Sequence, residues 1–393
     1  MERVELEEIL RSAGVAEEHG EGVFLCDVQW SPTQRAEFAR ITHTAADEPR
    51  SARREGWLCV PTGGSGGGMR FARHDERTLG AAVAGFCAHT GVGRVNAIGV
   101  LPLHHVSGLM AAVRCRATGG HHLPWSWPQL AVGEVPALAA GDWFLSLVPT
   151  QLQRLLDAPK TVDWLRRFHT IFIGGGPAWP VLMERAAEAK LPLAFSYGLT
   201  ETAAMVTAQG AGDFAGGDCS SGRPLPHAGV EVVDEASGQP APAGATGIVR
   251  ITGESVFRGY YPGHGAGRSF TTGDLGRFDA SGALHIFGRR DAVIITGGKK
   301  VHPAAVELAL RATGLFPDVA VIGLPDAEWG EVVVACYPAD GEGTRRLPDL
   351  PELAAYQSPK RLLAVADWPR NAQGKVNRPA LRAAVSALAG PRG

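Results

Sequence analysis

The sequence predicts an α/β chain in three parts, and three observations carry that prediction. Apolar strand-like runs alternate with helical stretches between Gly56 and Phe195, which implies a largely parallel sheet covered by helices. From about residue 220 the texture changes to short strands between Gly/Pro-rich turns, a smaller β subdomain. After Gly288-Arg289-Arg290-Asp291, helix and strand patterns start afresh over ~100 residues, the size of a small α+β domain. The expected plan is an N-terminal domain over 1–290, with the β subdomain at about 220–290, and a C-terminal domain over 291–393.

The bulk numbers suit this plan. A chain of 393 residues is enough for about two or three domains. With 45% hydrophobic and 20% charged residues it can bury a large core. A net charge of −2 gives no electrostatic argument for nucleic acid or an acidic membrane. No run approaches the ~20 apolar residues of a membrane span. Cys26, Cys59, Cys87, Cys115, Cys219 and Cys336 are scattered without a C-x-x-C pair. They read as reduced thiols of a cytoplasmic protein, not as a disulfide framework or zinc site. The acidic start Met1-Glu2-Arg3-Val4-Glu5 is unlike a signal peptide.

Residues 1–55 read as helical and polar, with a helix start at Ser31-Pro32. The run Pro61-Thr62-Gly63-Gly64-Ser65-Gly66-Gly67-Gly68-Met69-Arg70 follows an apolar strand at Gly56–Val60. After it, Leu79, Ala82, Val83, Phe86 and Cys87 have the spacing of a buried helix face. A glycine-rich turn between strand and helix lets backbone N–H groups crowd around an anion; alone, it is equally a tight loop. It lacks the Gly-Lys-Ser/Thr of a Walker loop.

Further strands are expected at Ala97–Leu101, Trp143–Val148, Ile171–Ile173 and Leu191–Phe195. Polar or glycine-rich residues follow each, and ligands of such sheets gather outside the strands' carboxyl ends. His104-His105 lacks a carboxylate or cysteine at metal-ligand spacing, so it reads as a pocket lining or a surface pair. Short strands are expected at Val230–Asp234, Gly247–Thr252 and Ala283–Phe287, with Thr271-Thr272-Gly273-Asp274 in a loop. In the tail, His302-Pro303 opens a helix, Val319–Gly323 and Glu331–Tyr337 read as strands, and Arg378-Pro379 opens a last helix. Lys375 sits in the polar turn before it and, alone, reads as a solvated lysine.

In their order these motifs resemble the adenylate-forming superfamily of acyl-CoA and aryl-CoA ligases, luciferases and peptide-synthetase adenylation domains. The loop at 62–70 is similar to its Thr/Ser/Gly-rich phosphate loop, and Tyr197-Gly198-Leu199-Thr200-Glu201 to its Tyr-Gly-x-Thr-Glu signature. Thr272-Gly273-Asp274 matches Thr-Gly-Asp. Gly288-Arg289-Arg290-Asp291, with Gly297-Gly298 and Val301-His302-Pro303, resembles the hinge region. Gly374-Lys375-Val376-Asn377-Arg378 resembles the C-terminal lysine motif.

The resemblance implies ATP, Mg²⁺ and coenzyme A as ligands, a small-molecule carboxylate as substrate, and a mobile tail domain. It assigns Thr62, Gly63, Gly64, Ser65, Gly66, Gly67 and Arg70 to the ATP phosphates. Thr200 would contact the α-phosphate, and Glu201 would hold Mg²⁺. Gly174, Gly175, Gly176, Pro177, Ser196, Tyr197 and Gly198 would frame adenine. Asp274 would bind the ribose, with Arg289 reaching the nucleotide. Lys375 would be the mobile catalytic cation, Asp291 the hinge, and Gly297, Gly298 and Lys299 the coenzyme A tunnel. A homodimer is compatible with all of this.

The chain departs from the family where its loop ends Gly67-Gly68-Met69-Arg70 instead of Gly-x-Pro-Lys, since an arginine fork is not a lysine. It is also shorter than typical members, mostly before the phosphate loop. Brevity and Leu101-Pro102-Leu103-His104-His105-Val106-Ser107-Gly108 resemble one branch, the o-succinylbenzoate–CoA ligases of menaquinone and phylloquinone biosynthesis. That resemblance places His105, Ser107 and Gly175 in the acyl pocket. Arg114 is expected either opposite the substrate's aromatic carboxylate or as a surface arginine. The alternatives are another acyl- or aryl-CoA ligase, a carrier-protein-loading enzyme, or a nucleotide-binding homologue without activity.

Overall fold

The structure is a computed structural model describing residues 3–20, 22–44, 56–62, 68–176, 178–263, 265, 267–316, 318–339, 345–370 and 376–388. In chain order its first elements are α1 (Arg3–Ser12), β1 (Ala16–His19), β2 (Gly22–Leu25), α2 (Pro32–Thr44), β3 (Leu58–Thr62), β4 (Arg70–His74) and α3 (Glu76–Thr90). The central stretch holds β5 (Asn96–Gly99), α4 (Val106–Ala117), β6 (His122–Pro124), α5 (Trp127–Ala131), β7 (Trp143–Leu147), α6 (Pro149–Leu155), α7 (Pro159–Leu165), β8 (Thr170–Ile173), α8 (Pro180–Glu188), β9 (Leu193–Leu199) and β10 (Ala204–Ala208). Then come β11 (Arg223–Pro224), β12 (Ala228–Val233), β13 (Gly247–Gly253), β14 (Tyr260–Tyr261), β15 (Ser269–Phe278) and β16 (Leu284–Arg289). The tail holds β17 (Ile294–Thr296), β18 (Lys299–Val301), α9 (Pro303–Ala312), β19 (Ala320–Asp326), β20 (Gly330–Pro338), β21 (Arg361–Val365) and α10 (Arg378–Leu388).

The predicted parallel sheet is present in the order β11-β10-β9-β8-β7-β5-β6, with β5 to β9 parallel and β10 and β11 antiparallel at one edge. Its strands are buried runs, as expected of strands covered on both faces. Leu79, Ala82, Val83 and Phe86 of α3 face inward, as their spacing predicts, and Cys87 is half-buried. Asp75 caps that helix by accepting from the Arg77 and Thr78 amides at 3.1 and 3.0 Å. Gly91, at φ +70°, closes it in the left-handed conformation.

Four expectations are corrected. Residues 1–55 are not purely helical, because β1 and β2 form a hairpin there and β2 runs parallel to β3. The charged run Ala16–His19 gave no strand signal, yet an edge strand tolerates such residues. The glycine stretch joins β3 to β4 in an antiparallel hairpin, with Thr62 opposite Arg70, and not a strand to a helix. β9 continues through Ser196-Tyr197-Gly198-Leu199, and Thr271–Asp274 lies inside β15, because antiparallel partners keep both segments extended. Pairing with a distant strand overrides the local turn signal of their glycines.

The tail builds its own sheet, β18-β17-β20-β19 with β21 beside β20, and apolar clusters on both of its faces. Val306 and Leu310 of α9 pack on one face, Leu381 and Val385 of α10 on the other. Gly297 and Gly298, at φ +53° and +73°, make the two-residue β17–β18 turn, which requires positive φ at both positions. Among the described residues no helix is long and apolar enough to cross a membrane.

Candidate functional site

The site grows from the carboxyl ends of β7, β8 and β9. Gly174 stands where a Cβ would lie 3.4 Å from Ser196 Oγ, and Gly175, at φ +78°, lies against Val148. β9 then turns through Thr200-Glu201-Thr202 into β10, its antiparallel partner. Gly198 is obligatory in that hairpin, because a Cβ there would fall 1.9 Å from the Ala204 carbonyl oxygen. Ala203 and Ala204 hold φ of +52° and +79°, each at a cost of about 1–3 kcal/mol. Backbone strain is thus concentrated beside Glu201.

Packing holds this turn in place. His74, at the end of β4, is fully buried, and its Nε2 lies 2.7 Å from the Thr200 carbonyl. A carbonyl only accepts, so Nε2 carries the proton and Nδ1 faces Thr78 Oγ1 at 3.0 Å. Burial pushes the imidazole pKa down to about 4, so it is neutral at pH 7. Glu201 is 8% exposed, and burial raises its pKa. Its Oε1 accepts the Tyr260 hydroxyl at 2.7 Å, while the Phe257 amide donates to its backbone carbonyl. The Arg70 guanidinium lies 5.7 Å from the Tyr260 ring centroid. A buried carboxylate of this kind is a hard oxygen ligand suited to a hard cation.

A second set of contacts lies beside this one. Tyr197 donates its hydroxyl to Asp274 Oδ2 at 2.7 Å. The Asp274 amide donates to Thr272 Oγ1, which in turn donates to the Val249 carbonyl, so the carboxylate is fixed through the strand that carries it. Opposite it on β16, Arg289 Nη1 stands 3.8 Å from Asp274 Oδ1. The same guanidinium donates to Asp291 through Nε and Nη2, at 3.1 and 2.9 Å. Burial, and then the Asp274 charge, raise the Tyr197 pKa well above its ordinary value. Glu201 feels the charges of both Asp274 and Arg289. Tyr197, Thr200, Glu201, Asp274 and Arg289, up to 92 residues apart in sequence, therefore form one neighbourhood.

Other expected residues lie elsewhere or outside what is described. Gly63, Gly64, Ser65, Gly66, Gly67, Pro177 and Lys375 fall outside the described residues. His105 is the N-cap of α4, with Ser107 in its first turn. His104 is buried with Nε2 3.5 Å from Asp27 Oδ2, a carboxylate that sequence spacing could not reveal. No group of three or more His, Cys, Asp or Glu gathers among the described residues. Lys299 Nζ lies 4.8 Å from the Tyr356 ring.

Arg114 is not a surface arginine. It is 4% exposed, with its guanidinium carbon 4.2 Å from the Phe86 centroid and Nε and Nη2 buried without partners. Burial lowers its pKa to about 10. At 1.5 Å per residue it lies about 13 Å along α4 from His105. Sequence reasoning missed Tyr260 and His74. Their partners, Glu201 and Thr200, are 59 and 126 residues away, and no local motif announces either contact.

Comparison with known proteins finds relatives in both sequence and structure. The profile of the family described as AMP-binding enzyme matches residues 9–261. A 2-succinylbenzoate–CoA ligase of Enterococcus faecalis is 34% identical over 285 residues, covering 70% of this chain and 58% of the relative. One from Listeria monocytogenes is 30% identical over 293 residues, covering 72% of this chain and 60% of the relative. The chain thus spans about three fifths of the length of these curated relatives. Among solved structures, an ATP-bound RpMatB–BxBclM chimera superposes with a TM-score of 0.73 at 24% identity, covering 98% of this chain and 82% of the other. The o-succinylbenzoate CoA synthetase of Bacillus subtilis, in complex with its acyl-adenylate, gives 0.72 at 23%, covering 97% and 81%. At these identities the structural likeness establishes the fold.

Proposed function

The chain belongs to the AMP-binding enzyme family, and from that premise we propose that it is an ATP-dependent carboxylate–CoA ligase acting through an acyl-adenylate. The substrate proposed is o-succinylbenzoate, yielding o-succinylbenzoyl-CoA for menaquinone or phylloquinone biosynthesis in the cytoplasm, by a homodimer. One observation carries the reading: the Tyr197–Asp274–Arg289 set adjoins the Glu201–Tyr260–Arg70 set at the strand ends. The named relatives supply the substrate.

A carboxylate is a poor acyl donor because its oxygen is a poor leaving group. Its attack on the α-phosphate of ATP makes a mixed anhydride and releases pyrophosphate. Negative charge spreads over phosphate oxygens in that step, so preorganised cations and amide dipoles lower the barrier. In this scheme Gly174–Pro177, Ser196, Tyr197 and Gly198 frame adenine, and Asp274 accepts from the ribose hydroxyls. The Tyr197 hydroxyl and the Thr272-anchored amide hold that carboxylate in one orientation. Thr200 contacts the α-phosphate from a turn that His74 fixes. Glu201 holds Mg²⁺, which when bound offsets phosphate charge, and Tyr260 orients the acid.

Thr62, the glycine amides, Ser65 and Arg70 cradle the β- and γ-phosphates, and Lys375 supplies the mobile cation. The tail turns about Asp291 for the second half-reaction, bringing Gly297, Gly298 and Lys299 to the coenzyme A thiol. His105, Ser107 and Gly175 line the acyl pocket, and Arg114 pairs with the aromatic carboxylate. The span of about 13 Å from His105 to Arg114 is divided between substrate length and arginine reach. The test is pyrophosphate release and product mass across a carboxylate panel, with coenzyme A or a carrier protein as acceptor. Release with o-succinylbenzoate and a coenzyme A thioester product are expected. ATP binding without pyrophosphate release from any acid would overturn the reading.

A further inference from the structure

The glycine loop ends in Gly68-Met69-Arg70, with methionine where the family pattern has proline. Proline fixes its own φ and carries no N–H. Methionine lacks that restraint but keeps a donor, and the donor is used. The Met69 amide donates to Glu37 Oε1 at 2.9 Å. A hydrogen bond to a carboxylate is about twice as strong as one between neutral groups. The same oxygen stands 3.7 Å from where a Gly68 Cβ would lie, so it rests against the chain on the loop side of the bond as well.

Packing brings Glu37 to this point. Helix α2 opens on a reciprocal cap, in which the Gln34 amide donates to Ser31 Oγ at 3.3 Å and the Ser31 amide to Gln34 Oε1 at 2.9 Å. Its inner face, Phe38 and Ile41, is buried in one cluster with Phe24, Trp30, Met69 and Phe71. The Phe38 and Phe71 ring centroids are 5.7 Å apart, so α2 is docked on β4 by its apolar face. Glu37, one residue before Phe38, is half-buried there. Met69 is held twice, by a side chain only 8% exposed and by its amide on Glu37. The next residue is Arg70, which opens β4 opposite Thr62. Its guanidinium lies 5.7 Å from the ring of Tyr260, which pairs with Ala72 on the same strand and donates to Glu201.

We infer that Glu37 is a positioning residue for the triphosphate end of the nucleotide. It pins the Met69 amide and so fixes the backbone from which Arg70 reaches the β- and γ-phosphates. A hydrogen bond from α2 thereby supplies the restraint that a proline ring would supply at that position. This role rests on the nucleotide reading above and adds to it a residue far from every motif. A carboxylate near the loop without this role would only repel the phosphates, and its removal would tighten ATP binding.

The test measures Kd by calorimetry for ATP with Mg²⁺ and for AMP, which lacks the β- and γ-phosphates, so no turnover is required. Glu37→Ala should weaken ATP binding about tenfold and leave AMP binding unchanged. Alanine suits a half-buried helix position, so this variant keeps the fold. Glu37→Gln, which retains an acceptor oxygen, should recover most of the loss. Met69→Pro removes the donor, and in that background Glu37→Ala should have no further effect on ATP. Equal weakening of ATP and AMP, unchanged or tighter ATP binding in Glu37→Ala, or the full effect of Glu37→Ala in the Met69→Pro background would overturn the inference. If Met69→Pro does not fold, the contrasts of ATP with AMP and of Ala with Gln decide it. If Arg70→Ala weakens ATP binding and Glu37→Ala does not, the inference falls and the phosphate role of Arg70 stands. If Arg70→Ala leaves ATP binding unchanged, both fall. A wild-type protein that binds ATP but releases no pyrophosphate overturns the ligase reading, while the Kd values still decide the role of Glu37.

Discussion

Replacing His74 by glutamine should change how stability depends on pH. His74 is fully buried, and burial lowers its pKa from 6.5 to about 4. A base depressed by folding contributes stability above its unfolded value and loses it as pH falls through the window from about 6.5 to 4. At ~1.4 kcal/mol per pH unit, that window is worth about 3 kcal/mol. Glutamine can still donate to the Thr200 carbonyl but does not titrate. At pH 7 the variant should be about 1 kcal/mol less stable, through the weakened Thr200 and Thr78 contacts. Near pH 4 the order should invert, because only the wild type pays to charge a buried imidazole there. The assay is urea unfolding of both proteins at pH 7, 5.5 and 4. His227 and His104 are also depressed by burial and titrate in both proteins, so the difference between the two curves isolates His74. Parallel curves from pH 7 to 4 would refute the argument.

Three further outcomes follow from the geometry. Tyr260→Phe removes the hydroxyl that Glu201 accepts while keeping the ring beneath Arg70, so kcat/KM for ATP should fall about tenfold; Mg²⁺-dependent pyrophosphate exchange reads it. Lys375→Ala should slow adenylation by ~10²–10³ and spare thioester formation from supplied acyl-adenylate; equal loss of both half-reactions contradicts the assigned role. Gly198→Ala drives a Cβ to 1.9 Å from the Ala204 carbonyl and should cost about 3 kcal/mol, read as a lowered Tm.

What the sequence discloses follows the range of the interactions involved. The apolar face of α3 is legible because its period of 3.6 lies within fifteen residues. The strands β5, β7 and β8 are legible because burial on both faces makes each a short apolar run. The β3–β4 hairpin was hidden, since Arg70-Phe71-Ala72-Arg73-His74 mixes charge with buried positions and a buried histidine looks polar. Thr272-Gly273-Asp274 looks like a turn until β13 and β16 flank it. Motif order singles out Tyr197, Glu201 and Asp274, which the fold brings together, but not the hydroxyl bonded to Glu201 or the imidazole bonded to the Thr200 carbonyl. Those contacts exist only once separate sheets are packed together. Arg114 reads as an ordinary polar helix residue until the Phe86 ring of α3 covers its guanidinium.

The two-residue strand β14 constrains how this chain can tolerate insertions. Tyr260 pairs with Ala72 and presents its ring to Glu201, whereas Tyr261 pairs with Phe71 and packs edge-on to Phe24. Successive strand residues face opposite sides of a sheet. Adding or deleting one residue in the pairing segment would exchange the two rings, taking the hydroxyl from the acid and placing it in an apolar cluster. Length changes there should be tolerated only in steps of two, a parity rule that natural or engineered variants of this segment must obey.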